Sequence, residues 1–182
     1  MAEAHWMHRC LTLASQGRGR TAPNPMVGAI IVRGDEVLAE GWHRAPGQAH
    51  AEVDALGALT TDATGATMYV NLEPCCHHGR TPPCTDAIIQ SGIARVVVGV
   101  IDPDPRMQGK GIALLREAGI EVEVGVAEAE CRALNEAYFS VLERGRPWVT
   151  VKAAITLDGR IADADGASQW ITGPQARAAG HA

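Results

Sequence analysis

The stretch that decides the fold lies at residues 71–84 and reads Asn71-Leu72-Glu73-Pro74-Cys75-Cys76-His77-His78-Gly79-Arg80-Thr81-Pro82-Pro83-Cys84. An apolar run before it, Thr67 to Leu72, predicts a strand, and Thr85 to Ser91 after it predicts a helix. Cysteines therefore lie at a strand end and at a helix start. Thiolates are ligands that zinc prefers, particularly beside an imidazole.

Strands and helices alternate outward from this stretch. The other predicted elements are helix Glu3 to Gln16, strands Val27 to Arg33 and Glu36 to Trp42 joined by a Gly34-Asp35 hairpin turn, helix His50 to Leu59, strand Arg95 to Ile101, helix Lys110 to Ala118, strand Ile120 to Val126 and helix Ala129 to Glu143. This pattern predicts the α/β class. We expect residues 1–144 to form a three-layer α/β/α domain with a mixed, mostly parallel sheet.

Residues 145–182 are interpreted as a linker followed by the truncated start of a second α/β domain. Gly145-Arg146-Pro147 interrupts the helical pattern. Beyond it the sequence predicts a strand at Trp148 to Thr156, a turn at Asp158-Gly159 and a returning strand at Arg160 to Ala164. A piece this short is below the roughly 40 residues that usually fold alone.

Composition narrows the class of function. A formal net charge of −5 and the absence of a basic stripe argue against a nucleic-acid-binding protein. There is no apolar run of about 18 residues for a membrane span, and the first residues do not resemble a secretory signal, so a cytoplasmic location is expected. Five cysteines, an odd number, fit reduced thiols or metal ligation better than a disulfide framework.

The candidate metal ligands are His50, Cys75 and Cys84, which would leave a fourth zinc position for water. Zinc lowers the pKa of such a water to about 7, which gives a nucleophile at neutral pH. Glu52 is the candidate proton carrier. Helix positions two apart face different ways, so His50 and Glu52 can share a site only if His50 begins its helix. Zinc deaminases carry a similar His-x-Glu and Pro-Cys-x-x-Cys pattern, although here the second cysteine comes later.

Other readings of these residues stay open. Cys76 could replace Cys84, although adjacent thiolates rarely reach one tetrahedral ion with good geometry. A structural zinc site would need a fourth protein ligand, for which His77 or His78 is well placed. His50 could also be a hydrogen-bonded core histidine without a metal.

The same residues resemble a known family, the bifunctional riboflavin biosynthesis proteins called RibD, in their deaminase half. The matching motifs are residues 71–84 and Pro23-Asn24-Pro25-Met26-Val27-Gly28, Gly41-Trp42-His43, His50-Ala51-Glu52-Val53, Asp102-Pro103-Asp104-Pro105 and Gly109-Lys110-Gly111. The resemblance implies a cytidine-deaminase-like fold, one catalytic zinc per chain and a homo-oligomer, a dimer or larger. The implied reaction is hydrolytic deamination of 2,5-diamino-6-ribosylamino-4(3H)-pyrimidinone 5′-phosphate.

Substrate contacts are expected from four residues of this half. Asn24, an amide held between prolines, is expected to read a ring edge, and His43 lies in a matching motif. A ribosyl phosphate needs cationic or hydrogen-bonding groups, which His77 and Arg80 supply beside the metal. Two residues depart from the family pattern: Cys76 stands where serine is usual, and Asp104 where asparagine is usual, an anion expected to weaken phosphate binding.

Residues 147–152, 158–160 and 168–172 resemble the start of the family's reductase domain. The resemblance implies that Ala154 and Trp170 help to bind NADPH and that Ser168 contacts substrate. Since a complete nucleotide site is expected only with a complete reductase domain, deaminase activity without reductase activity is predicted. Competing hypotheses are a deaminase of a tRNA base or a free nucleoside, a structural zinc module that docks other proteins, and a degraded fragment that does not fold.

Overall fold

A five-stranded sheet is the central feature of the structure, a computed structural model that describes residues 2–79 and 81–181. The chain divides into two compact units, Met1–Trp148 and Val149–Ala182, and the sheet belongs to the first. The elements of the first unit are α1 (Ala2–Ser15), β1 (Gly28–Arg33), β2 (Glu36–Trp42), α2 (Ala51–Gly57), β3 (Thr67–Val70), α3 (Cys84–Gln90), β4 (Arg95–Val98), α4 (Lys110–Glu117), β5 (Glu121–Val124), α5 (Glu128–Leu134) and α6 (Glu136–Arg144). The predicted elements of this unit exist, with ends that differ by a few residues, except that the last predicted helix is divided in two.

The strand order is β2-β1-β3-β4-β5. β1 pairs antiparallel with β2, through the predicted turn at Gly34-Asp35, and also with β3. β3 and β4, and then β4 and β5, pair in parallel. The sheet is mixed, as predicted, but parallel pairing does not predominate, because β1 and β2 form a hairpin that enters the sheet antiparallel to β3. Since β3 and β4 run in parallel, the segments that follow them meet at one edge, where α/β proteins usually bind ligands.

Alternating residues of the strands fill two separate cores, one on each face of the sheet. One core joins Ala29, Ile31, Met68, Val70, Val96 and Val98 to buried residues of α2, α3 and α4. The other joins Ile30, Val32, Tyr69 and Val97 to Met7 and Cys10 of α1, Cys131 of α5 and Phe139 of α6. Helices therefore cover both faces, which confirms the predicted three-layer α/β/α arrangement.

The predicted long helix from Ala129 to Glu143 is instead two helices that meet at Asn135. This residue leaves helical geometry, with φ −111° and ψ 26°, and ends α5 where α6 begins. Its buried side chain accepts a hydrogen bond from the Met26 backbone N–H at 2.8 Å. The amphipathic pattern continues through the break, so the spacing of apolar residues did not predict it.

Gly28 allows α1 to lie directly on the first strand. A Cβ at this position would come closer than 3.0 Å to the backbone oxygen of Cys10 and the backbone nitrogen of Ala14, both in α1. We expect Gly28→Ala to lower the free energy of unfolding by about 1–3 kcal/mol or more, because helix and strand must separate. Denaturant unfolding measures this change.

Gly57 provides the matched control for that substitution. It lies in α2 and has no neighbouring atom within 4 Å of an added Cβ, so Gly57→Ala should leave stability unchanged or raise it slightly. Equal unfolding midpoints for the two variants would contradict the close approach of α1 to β1.

The second unit has one helix, α7 (Pro174–His181), and no strand among its described residues, 149–181. The predicted strands at Trp148 to Thr156 and Arg160 to Ala164 are therefore wrong for this structure. Strands need a hydrogen-bonded neighbour, which these residues do not have among the described residues. Side-chain-capped turns follow Thr156 and Asp163 instead. The Asp163 carboxylate accepts from the N–H groups of Asp165 and Ala167, at 3.0 and 2.8 Å. In the described part of the chain, every helix is too short or too polar to cross a membrane.

Candidate metal site and substrate cleft

His50, Cys75 and Cys84 come together at the sheet edge where β3 ends. Their ligand atoms all lie within 4.8 Å of one another. The His50 Nδ1 atom lies 3.4 Å from the Cys75 sulfur and 3.3 Å from the Cys84 sulfur. Two sulfurs and one imidazole nitrogen are a donor set that zinc prefers, so the residues present fit this ion.

Two of these three side chains are positioned by the first residues of a helix. His50 is the residue before α2, with extended backbone geometry, and Cys84 is the first residue of α3. The Cys84 N–H donates to the Cys75 sulfur at 3.3 Å, and the Thr85 N–H donates to the Cys75 carbonyl oxygen at 3.1 Å. These bonds dock the start of α3 on the segment that leaves β3, so the loop between the cysteines folds back on itself.

The electrostatics of the cluster favour one thiolate before any metal binds. A hydrogen bond from Cys84 and a second from His50 lower the pKa of Cys75 to about 4. The hydrogen bond with Cys75 raises the pKa of His50. The hydrogen bond between Cys84 and Cys75, together with burial, raises the pKa of Cys84, which therefore keeps its proton in the absence of a metal. Zinc binding would release that proton, so metal affinity should rise with pH.

Glu52 lies buried beside the cluster, close enough to Cys84 for each group to shift the pKa of the other. It is the second residue of α2, so His50 precedes the helix and the two side chains can share one site. Burial, followed by the nearby Cys75 thiolate, raises the pKa of Glu52 to about 7. A carboxyl group of this kind can both take and give a proton at neutral pH.

Thr81 contacts the candidate ligand His50, which the sequence did not indicate. Its hydroxyl lies 3.4 Å from His50 Nε2, the ring nitrogen that faces away from the sulfurs. Metal-binding histidines usually have such a partner on the second nitrogen, which fixes the orientation of the ring. The only signal in the sequence was a hydroxyl residue inside the cysteine loop.

A cleft of about 860 Å³ opens above the cluster. Its lining includes the metal-site residues His50, Glu52 and Cys75, and also Asn24, His43 and His77, which were expected to contact substrate. Sites for small molecules usually measure about 300–1,000 Å³. The cleft therefore has room for a ring with a substituent.

Asn24 and His43 form a hydrogen-bonded pair in this cleft. His43 Nδ1 lies 3.0 Å from the Ala49 carbonyl oxygen, an acceptor, so Nδ1 carries the proton. Burial lowers the pKa of His43, which favours the neutral ring and leaves Nε2 as an acceptor. The amide nitrogen of Asn24 donates to that Nε2 at 3.0 Å. Among the described residues the Asn24 side-chain oxygen has no hydrogen-bond partner, so it can accept a hydrogen bond from a ligand.

The residues expected to affect phosphate binding, His77, Arg80 and Asp104, have different surroundings. His77 lines the cleft, and its Nδ1 lies 3.3 Å from the Met107 sulfur. Arg80 lies outside the described residues. The Asp104 carboxylate accepts hydrogen bonds from the Arg106 side chain, which lowers the pKa of Asp104 and offsets its negative charge.

Cys76, the other departure from the family pattern, does not join the cluster of three ligand atoms in the described structure. Its sulfur lies 3.8 Å from the Met107 sulfur. Burial raises the pKa of the Cys76 thiol, which does not favour a thiolate ligand. This geometry favours Cys84 over Cys76 as the second thiolate ligand.

The three residues predicted from the reductase resemblance lie in the second unit. Ser168 and Trp170 both line a shallow cavity of about 450 Å³, whereas Ala154 is exposed and is not part of that cavity. The Arg177 guanidinium lies 4.0 Å from the centre of the Trp170 ring. Their roles toward NADPH and substrate stay predictions.

Two family models match the chain. The model described as the cytidine and deoxycytidylate deaminase zinc-binding region matches residues 1–100, more than half of the 182 residues. The chain belongs to this deaminase family. The RibD C-terminal domain model matches residues 147–182, which agrees with the interpretation of the second unit as the start of a further domain.

Relatives of this deaminase-family chain carry the RibD name. The riboflavin biosynthesis protein RibD of Synechocystis sp. is 57% identical over 171 residues, or 94% of this chain and 46% of the relative. A crystal structure of a diaminohydroxyphosphoribosylaminopyrimidine deaminase/5-amino-6-(5-phosphoribosylamino)uracil reductase from Thermotoga maritima is 46% identical, with a TM-score of 0.92 over 98% of this chain and 52% of that one. For RibD of Acinetobacter baumannii the identity is 46% and the TM-score 0.89, over 96% of this chain and 49% of that one.

The chain thus spans about half the length of the relatives that it matches. The expected resemblance to RibD is confirmed, and so is the cytidine-deaminase-like fold.

Proposed function

We propose that this chain is a zinc-dependent deaminase that releases ammonia from 2,5-diamino-6-ribosylamino-4(3H)-pyrimidinone 5′-phosphate. The observation that carries the proposal is the convergence of His50, Cys75 and Cys84 beside the buried Glu52 at a cleft. The similarity to the Thermotoga maritima protein, whose name states this deaminase activity, supports the choice of substrate.

Zinc held by these three ligands would supply a nucleophile from water at neutral pH. Deamination exchanges a carbon–nitrogen bond of the ring for a carbon–oxygen bond, and the protons of water must reach the ring nitrogen and the departing ammonia. Glu52 lies beside the ligands and lines the cleft, so its carboxyl group is placed to carry those protons. Its burial excludes bulk water from this transfer.

The lining of the cleft suits a polar ring. The free acceptor of Asn24 can receive a hydrogen bond from an N–H or O–H group of the substrate. His77 adds a ring nitrogen to the same cleft, and Arg106 offsets the charge of Asp104. These groups could recognise the edge of a polar ring beside the metal ligands, whereas the choice of a phosphorylated pyrimidine over a free base rests on the similarity to the Thermotoga maritima protein.

Ammonia release measured side by side from this precursor, cytidine and tRNA tests the proposal. We expect zinc-loaded protein to release ammonia from the phosphorylated precursor and to act weakly or not at all on the other two. Preferred turnover of cytidine or tRNA would favour the competing deaminase hypotheses. A stable zinc protein without activity on any of the three would favour a structural zinc module.

Other properties stay predictions that follow from the resemblance and the composition. They are a homo-oligomer of two or more chains, a cytoplasmic location, and the roles of Ala154, Ser168 and Trp170 in a reductase site. NADPH binding is predicted only together with a complete reductase domain. The RibD C-terminal domain model matches residues 147–182 of this chain.

A further inference from the structure

Two buried asparagine side chains hold the backbone of Met26. Asn135 accepts from the Met26 N–H at 2.8 Å and donates to the Met26 carbonyl oxygen at 2.9 Å. Asn71 donates to the same carbonyl oxygen at 3.1 Å and accepts from the Gly28 N–H at 2.8 Å. Both amides are nearly inaccessible to solvent, so these bonds have little competition from water.

The helix break makes the Asn135 contact possible. Asn135 is 109 residues from Met26 in sequence, and it departs from helical geometry at the junction of α5 and α6. An asparagine there forgoes the regular hydrogen bonding of a continuous helix. At the junction, the Asn135 side chain instead forms hydrogen bonds with both the backbone N–H and the carbonyl oxygen of Met26.

The segment held in this way carries the substrate-facing amide of the cleft. Asn24 is two residues before Met26, and its backbone N–H closes a turn on the Thr21 carbonyl oxygen at 2.8 Å. Its side chain meets His43, so the position of the segment determines where the free Asn24 oxygen lies. A small displacement of Met26 would move that oxygen away from a bound ring.

We propose that Asn135 is a positioning residue for substrate recognition, acting through Met26 to place Asn24 in the cleft. The inference rests on the deaminase function proposed above. Asn135 also lines the cleft, but its amide oxygen and amide nitrogen are both hydrogen-bonded to the Met26 backbone. Among the described hydrogen bonds it contacts neither the metal ligands nor the Asn24 side chain. Its effect on the reaction should therefore depend on Asn24.

A double-mutant cycle tests this dependence. We expect Asn135→Ala to raise KM for the phosphorylated precursor about tenfold with a smaller change in kcat, since substrate binding and not proton transfer is affected. Zinc content should stay unchanged. In an Asn24→Ala background, the further change caused by Asn135→Ala should be less than about twofold, because the side chain that Asn135 positions is gone.

Ser140→Ala is the matched control. Ser140 is also buried on α6, and its hydroxyl donates to the Arg146 carbonyl oxygen at 3.0 Å, away from Met26. This variant should lose stability to a similar extent and keep its KM. An equal rise of KM in Ser140→Ala would overturn the inference. It would also be overturned if Asn135→Ala raised KM by the same factor in the wild-type protein and in the Asn24→Ala variant.

Hydrogen exchange of the wild-type protein covers the case in which Asn135→Ala does not fold. The Met26 amide should exchange slowly, and the milder Asn135→Ser variant should speed its exchange while the amides of α2 stay protected. Fast exchange of Met26 in the wild type would overturn the inference. Wild-type protein without ammonia release from the precursor would overturn the proposed function, whereas active protein with unchanged KM in Asn135→Ser would overturn this inference alone.

Discussion

Replacing Glu52 by glutamine is expected to slow ammonia release from the phosphorylated precursor by about 100- to 10,000-fold, the usual contribution of a general acid and base. The amide has nearly the shape of the carboxyl group, but it cannot take up and deliver a proton. Because Glu52 is not one of the three clustered ligands, Glu52→Gln should keep one zinc per chain. Steady-state kinetics and metal analysis of the same preparation measure both effects.

Glu117→Gln provides a matched control, since Glu117 is an exposed residue at the end of α4. It should retain wild-type activity and zinc content. Full activity in Glu52→Gln would exclude Glu52 as the proton carrier and would favour a structural zinc site. Loss of zinc together with activity would instead assign Glu52 to the metal ligands.

A second large effect is expected at the late cysteine. Cys84→Ser should remove most of the bound zinc and lower activity by at least about a thousandfold, since the metal contributes several kcal/mol to such reactions. The melting temperature should fall as well, because an ion bound only to the folded state stabilises it. Zinc-to-protein ratio, ammonia release and thermal unfolding of one sample provide the three readouts.

Cys76→Ser separates the two possible ligand sets. The Cys76 sulfur faces Met107 and is not part of the cluster, so this variant should keep its zinc and its activity. The opposite result, with zinc lost from Cys76→Ser and kept by Cys84→Ser, would assign the second thiolate to Cys76.

The sequence indicated the cluster well because short-range patterns determine it. The helix start at His50 follows a Pro-Gly loop, and the cysteines flank a loop between a strand and a helix. The turn at Gly34-Asp35 was equally clear, since two apolar runs surround two typical turn residues. In each case the information lies within a few neighbouring residues.

Long-range contacts account for what the sequence did not show. The break at Asn135 depends on hydrogen bonds to a residue 109 positions away, and no local pattern signals it. The contact between Thr81 and His50 depends on how the cysteine loop folds back. The strands predicted beyond Trp148 need partner strands, which the described residues of the second unit do not provide.

A crystal structure of zinc-loaded protein, with the ion located by anomalous scattering, tests the central claim most directly. The account predicts one ion bonded to His50 Nδ1 at about 2.0–2.1 Å and to the sulfurs of Cys75 and Cys84 at about 2.3 Å, with its fourth position open to the cleft beside Glu52. A fourth protein side chain on the ion, or an ion bound away from these three residues, would contradict it.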